Sequence, residues 1–153
     1  MHDDDALIFS VHIDILGIDP GEVTRVLGVE PDEQCRKGEP SPLPPRADGE
    51  LRRRSFHEWR IGGRSRDPAL GIGGLLDPLV ARLAPVRERF AQLEGDYNVF
   101  CRIMIRMSAA SGAPSFCVSP DAMRFLSSIG AWIDADLYDA DPPASERPDY
   151  PIE

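Results

Sequence analysis

Three alternating stretches carry most of the residue types in this chain that could do chemistry. In residues 7–15, His12 and Asp14 fall between Leu7, Phe9, Val11, Ile13 and Ile15. In residues 97–108, Arg102 and Arg106 fall between Val99, Cys101, Ile103, Ile105 and Met107. In residues 131–138, Trp132, Asp134, Asp136 and Tyr138 alternate with Ile133, Ala135 and Leu137. Side chains alternate across a strand, so apolar sets turned to a core put the polar and aromatic sets together on the opposite face. Carboxylates and guanidiniums sharing a face could coordinate a polar ligand, and the two aromatic rings could stack on it. The competing explanation is a solvated face with cross-strand ion pairs, each contributing a fraction of a kcal/mol. Open sheets routinely have one wet face.

Other constellations carry less. Arg36-Lys37-Gly38 could hold an anion on backbone amides and two cations, with Lys37 the binding residue, or could be a plain glycine turn. His12, Asp14, Asp134 and Asp136 include hard and borderline metal donors, but nothing in their spacing requires a metal. His57 with Cys35 or Cys117 offers a Cys–His pair but no third orienting residue. Gly71-Ile72-Gly73-Gly74 precedes a helix but lacks the phosphate-loop lysine and the dinucleotide pattern, so it reads as a flexible linker. Arg52-Arg53-Arg54 reads as a solvated run. No catalytic set, metal site or cofactor site is expected.

The elements that must position these residues follow from periodicity and caps. Asp19-Pro20 opens a helix over 20–27, with Glu22 placed for a capping box and Gly28 to end it. Ser119-Pro120-Asp121 opens a second such helix, ending at Gly130, with Met123, Leu126 and Ile129 as its core residues. Residues 55–61, with Trp59, read as a strand ended by Gly62-Gly63. Residues 75–94 have helical spacing, with Pro78 in the first turn and Pro85 placed to kink or split the helix. Ser111–Pro114 reads as a hairpin turn leading to a short strand over 115–118. The order is β-α-β-α-β-β-α-β. The expected fold class is α+β, a mixed or antiparallel sheet with helices on one face, related to the ferredoxin-like split βαβ arrangement. One domain over 1–139 is expected, followed by an acidic, proline-rich, disordered tail over 140–153. Trp59 and Ile133 should be largely buried, and Trp132 partly exposed or at an interface. Gly28 and Gly130 should have positive φ.

The totals narrow the function class. The chain has 153 residues and a net charge of −9, which argues against general binding to nucleic acid or anionic membranes. The charge is uneven: residues 34–66 hold nine cations against Glu39, Asp48, Glu50 and Glu58, a net of +5, so the remainder carries −14. No apolar run is long enough to span a bilayer, and Met1-His2-Asp3-Asp4-Asp5 does not begin a secretory signal. The three cysteines, Cys35, Cys101 and Cys117, lack disulfide or zinc spacing. A cytoplasmic protein is expected.

Several short motifs follow one another in order. They are Leu16-Gly17-Ile18-Asp19-Pro20, Leu27-Gly28-Val29-Glu30-Pro31, Arg36-Lys37-Gly38-Glu39 and Glu58-Trp59. Phe116-Cys117-Val118-Ser119-Pro120 and Gly130-Ala131-Trp132-Ile133-Asp134-Ala135-Asp136-Leu137-Tyr138 complete the set. In their order and spacing they resemble the bacterial family DUF 4279, and the resemblance covers about residues 7–139. Relatives often carry an aromatic where this chain has Cys35. The resemblance implies a bacterial cytoplasmic protein without defined catalytic residues.

The reading reached from sequence is a non-enzymatic binding or interaction module, immunity- or regulator-like, with a protein partner or a second copy of itself. The alternatives are a binder of small anionic ligands on the polar sheet face, and an enzyme with histidine acid–base chemistry.

Overall fold

A computed structural model describes residues 7–108 and 111–140 of the chain. The elements run β1 (Leu7–Leu16), α1 (Pro20–Leu27), β2 (Glu33–Cys35), β3 (Glu58–Ser65), α2 (Gly71–Leu83), a 3-10 helix (Ala84–Gln92), β4 (Asn98–Met107), α3 (Pro120–Ser128) and β5 (Trp132–Asp139). The strands form one sheet in the order β2-β3-β1-β4-β5. All neighbours are antiparallel except β4 and β5, which are parallel and joined through α3. The fold is α+β with a mixed sheet. β3 lies between the parallel strands β1 and β2, and β1 between β3 and β4, as in split βαβ units, but β4 and β5 are parallel neighbours with no strand between them, and the ferredoxin-like detail is not confirmed.

Alternation in β1 and β4 sorts the two faces as the pattern demands. Phe9, Val11, Ile13, Ile15, Val99, Cys101, Ile103 and Ile105 are buried in one core with Trp59 and Ile61 of β3. The helices supply Val23 and Leu27 from α1, Ile72, Leu76 and Leu83 from α2, and Phe125 and Leu126 from α3. Burying each large apolar side chain contributes about 1.5–3 kcal/mol. Trp59 is fully enclosed, and its indole N–H donates to Thr24 Oγ1 on α1 at 3.1 Å. Asp19 and Ser119 cap α1 and α3 by accepting from Gly21 N (2.8 Å) and Ala122 N (3.1 Å). Gly28 and Gly130 take φ of 69° and 67°. Glu22, expected to reach back to the cap, instead pairs with Arg25.

Several expectations need correction. β3 starts later than residue 55 and runs through Gly62-Gly63 to Ser65. A Cβ on Gly62 would meet Val11 O at 2.5 Å and the His12 ring, so this glycine serves close strand approach rather than termination. The helix expected over 75–94 begins at Gly71 and places Pro78 in its interior; it gives way to 3-10 geometry at Ala84, beside Pro85, where a kink or split was expected. Residues 115–118 do not form a strand. This segment crosses the glycines of α2: Ile72 N donates to Ser115 O at 2.8 Å, and a Cβ on Gly73 would lie 3.0 Å from Cys117 O. The glycines are therefore a packing strip, not a linker. On α3, Met123 is exposed, while Ala122 and Phe125 are buried. β2 was not expected, nor was the ribbon beyond it, where Pro40 bridges Arg53 and Ser41 N donates to Arg52 O. The tail beyond residue 140 lies outside the described residues.

The widest departure is at β5. Ile133 was expected to be buried, yet it is 51% exposed and Leu137 is 69% exposed. Their parity is as expected: Ile133 pairs with Cys101 and Leu137 with Ile105, both on the core side. The helix layer, however, packs on the inner strands, with α2 across β1 and β3 and α1 against β3. β5 extends past it.

Candidate functional site

Register gathers the polar residues of β1, β3, β4 and β5 on the open face. His12 lies opposite Gly62 and Arg102, and Asp14 opposite Arg60 and Phe100. Arg102 lies opposite Asp134, Met104 opposite Asp136, and Arg106 opposite Tyr138. Every sheet residue singled out from sequence is thus on this face, and two groups form.

The central group is built on Asp14, which has no exposed surface although it belongs to the polar face. Arg60 grips it with two bonds, Nε to Oδ1 at 2.8 Å and Nη2 to Oδ2 at 3.0 Å, the strong two-pronged geometry of guanidinium and carboxylate. Arg60 Nη2 also donates to Glu58 Oε1 at 2.9 Å, and Glu33 lies 3.6 Å from Nη1. Arg102 Nε approaches Asp14 Oδ2 at 3.2 Å as an ion pair without aligned hydrogen-bond geometry, and its guanidinium sits 5.5 Å from the Phe100 ring centroid. His12 occupies the space left by Gly62. Its Nδ1 is buried without a hydrogen-bond partner among the described residues. Burial, then the positive charge of Arg60, holds its pKa below the ordinary value, against the opposing pull of Asp14.

Two guanidiniums therefore meet three carboxylates, Asp14, Glu33 and Glu58, with a neutral imidazole beside them. The group carries a net charge of −1, its cations already paired, and offers an incoming anion no net attraction. Arg60 and Glu58 were missed from sequence. The signal was present: with Trp59 in the core, both neighbours had to face the other way.

The outer group lies on β5, all eight residues of which are exposed. Trp132 and Tyr138 stand on the open face, with Asp134 and Asp136 between them. Arg102 turns inward to Asp14, so neither aspartate makes an ion pair among the described residues. A shallow depression of about 290 Å³, lined by Met107, Ser108, Leu137, Tyr138 and Asp139, lies where β4 and β5 end.

Lys37 stands apart from both groups. Its backbone N–H donates to His57 Nδ1 at 3.3 Å, Arg36 Nε is held by Asp19 Oδ2 at 2.8 Å, and Arg36 N donates to Glu39 Oε2 at 2.9 Å. These donors serve the loop itself. The arginine run is used similarly: Arg52 Nε donates to Pro44 O at 3.0 Å and Arg53 Nη1 to Gly38 O at 2.8 Å.

Thiol chemistry finds no activating surroundings at two of the three cysteines. Burial pushes the Cys35 thiol up, and pushes Cys101 up to about 11. Among the described residues no group of three His, Cys, Asp or Glu side chains is placed to hold a metal ion, and no helix is long and apolar enough to cross a membrane.

No curated protein and no solved structure matches this chain. The chain carrying this sheet, with its ion-paired centre and open outer strand, matches the domain of unknown function DUF4279 over residues 7–140, and it belongs to that family.

Proposed function

We propose that this protein is a non-enzymatic interaction module, immunity- or regulator-like, that docks a partner protein on β5 and the adjoining open face. The observation that carries this reading is the exposure of β5. A strand pattern that ordinarily buries one side here leaves Trp132, Ile133, Leu137 and Tyr138 all open to solvent. Exposed apolar side chains on both sides of an edge strand, interleaved with carboxylates, are characteristic of interaction surfaces. The ion-paired Asp14 group serves as the rigid floor beside that surface. On the same reading the protein acts in the bacterial cytoplasm, a setting that suits three free cysteines.

The test is quantitative capture from a bacterial lysate with tagged wild type and with an Ile133→Lys/Leu137→Lys variant. Both sites are solvent-exposed, so the variant should fold with a nearly unchanged Tm. A protein enriched by wild type and lost by the variant supports the reading. Identical captured sets from both proteins overturn it.

A further inference from the structure

β5 is an eight-residue edge strand whose outer side has no neighbour in the sheet among the described residues. The opposite edge is treated differently. β2 has three residues, and Asp32 reaches past it to accept from Gly62 N at 2.9 Å. Exposed backbone donors and acceptors along a strand of this length are a template for one more strand.

The charges on β5 indicate which strand fits. A second copy would pair antiparallel across a two-fold axis. Centred on Ala135, such pairing stacks Ile133 on the copy's Leu137, but also sets Asp134 against the copy's Asp136, twice. Centring on Asp134 or on Asp136 opposes that residue to itself. Like charges directly opposite one another are unfavourable, so all three of these registers are disfavoured. The same two carboxylates make no ion pair among the described residues and lie on one face, with apolar Ile133 and Leu137 on the other. The complement is a strand that alternates cations with apolar side chains.

We propose that β5 accepts a basic extended segment of a partner protein as a sixth strand of the sheet. Its Lys or Arg side chains lie beside Asp134 and Asp136, and its apolar side chains cover Ile133 and Leu137. This rests on the interaction-module reading and names the chemistry of its partner. Backbone bonds along β5 supply affinity, and the alternation supplies register and selectivity.

The probe is a labelled eight-residue peptide of alternating Lys and Val, titrated into the full chain by fluorescence anisotropy. Its controls are the Glu/Val peptide and a Lys/Val peptide with a central Val→Pro change, which keeps the charge but cannot complete a strand. The expected result is saturable binding that weakens with added salt and is lost for both controls. It should also fall about tenfold in Asp134→Asn/Asp136→Asn and further in Asp134→Lys/Asp136→Lys. Three results overturn the proposal: no binding beyond the Glu/Val peptide, equal binding of the proline peptide, or affinity unchanged in both aspartate variants. A native-mass dimer abolished by Ile133→Lys/Leu137→Lys also overturns it, by making a second copy the occupant. Failure of the peptide alongside capture that still depends on Ile133 and Leu137 rejects the basic strand and leaves the docking reading standing. Capture indifferent to those residues removes both.

Discussion

Neutralising Asp14 should cost more than any other single change on the polar face. Asp14→Asn keeps the shape and removes the charge. It takes two charge-assisted bonds from Arg60, at 2.8 and 3.0 Å, and the 3.2 Å ion pair from Arg102. Hydrogen bonds to charged groups contribute about 1.5–3 kcal/mol each. The arginine side chains keep 19% and 30% of their surface, and Arg60 keeps Glu58, so part of the loss is recovered in solvent and in that pair. The net expectation is a loss of about 2–4 kcal/mol. That is a large share of the 5–15 kcal/mol typical of a domain, and amounts to a fall in Tm of roughly 5–15 °C. Urea unfolding followed by the fluorescence of enclosed Trp59 measures it, with an unchanged m-value as the check on two-state behaviour. A double-mutant cycle sharpens the argument. Coupling of Asp14 to Arg60, through Arg60→Gln, should exceed coupling to Arg102, through Arg102→Gln, because only the former pair has two aligned bonds. An Asp14→Asn protein within about 0.5 kcal/mol of wild type, or coupling larger to Arg102 than to Arg60, would refute the reasoning.

Two other predictions concern the same face. Gly62→Ala should cost about 1–3 kcal/mol, since its Cβ would meet Val11 O at 2.5 Å and the His12 Cα at 2.8 Å. Gly63→Ala, whose Cβ would meet only Leu75 Cδ2 at 3.9 Å, is the control; equal melting temperatures for the two variants would show that the close approach is not needed. His12 has a folded-state pKa held below 6.5 by burial and by Arg60, so the unfolded chain binds this proton more readily. Its contribution to stability is therefore complete above about pH 6.5 and is lost as pH falls from there toward the folded-state value. Melting curves from pH 8 to pH 5 should show that component in wild type and not in His12→Gln; parallel profiles would assign the acid sensitivity elsewhere.

Much of this protein was decided locally and was legible in its sequence. Strict alternation in 7–15, 97–108 and 131–138 set three strands and the parity of His12, Asp14, Arg102, Arg106, Asp134 and Asp136, because a strand has no freedom to change which side a residue faces. Asp19 and Ser119 fixed two helix starts, since a cap bonds within its own turn. Tertiary structure decided the rest. Asp14 became a buried charge only when Arg60 arrived opposite it from 46 residues away. Gly62 and Gly73 read as breaks from local propensity, but their role is to let another chain segment come close. Ile133 carries the same strand pattern as Ile103, yet Ile103 is fully buried and Ile133 is half exposed. Alternation states which face a side chain takes; only the reach of the helix layer states whether anything covers it.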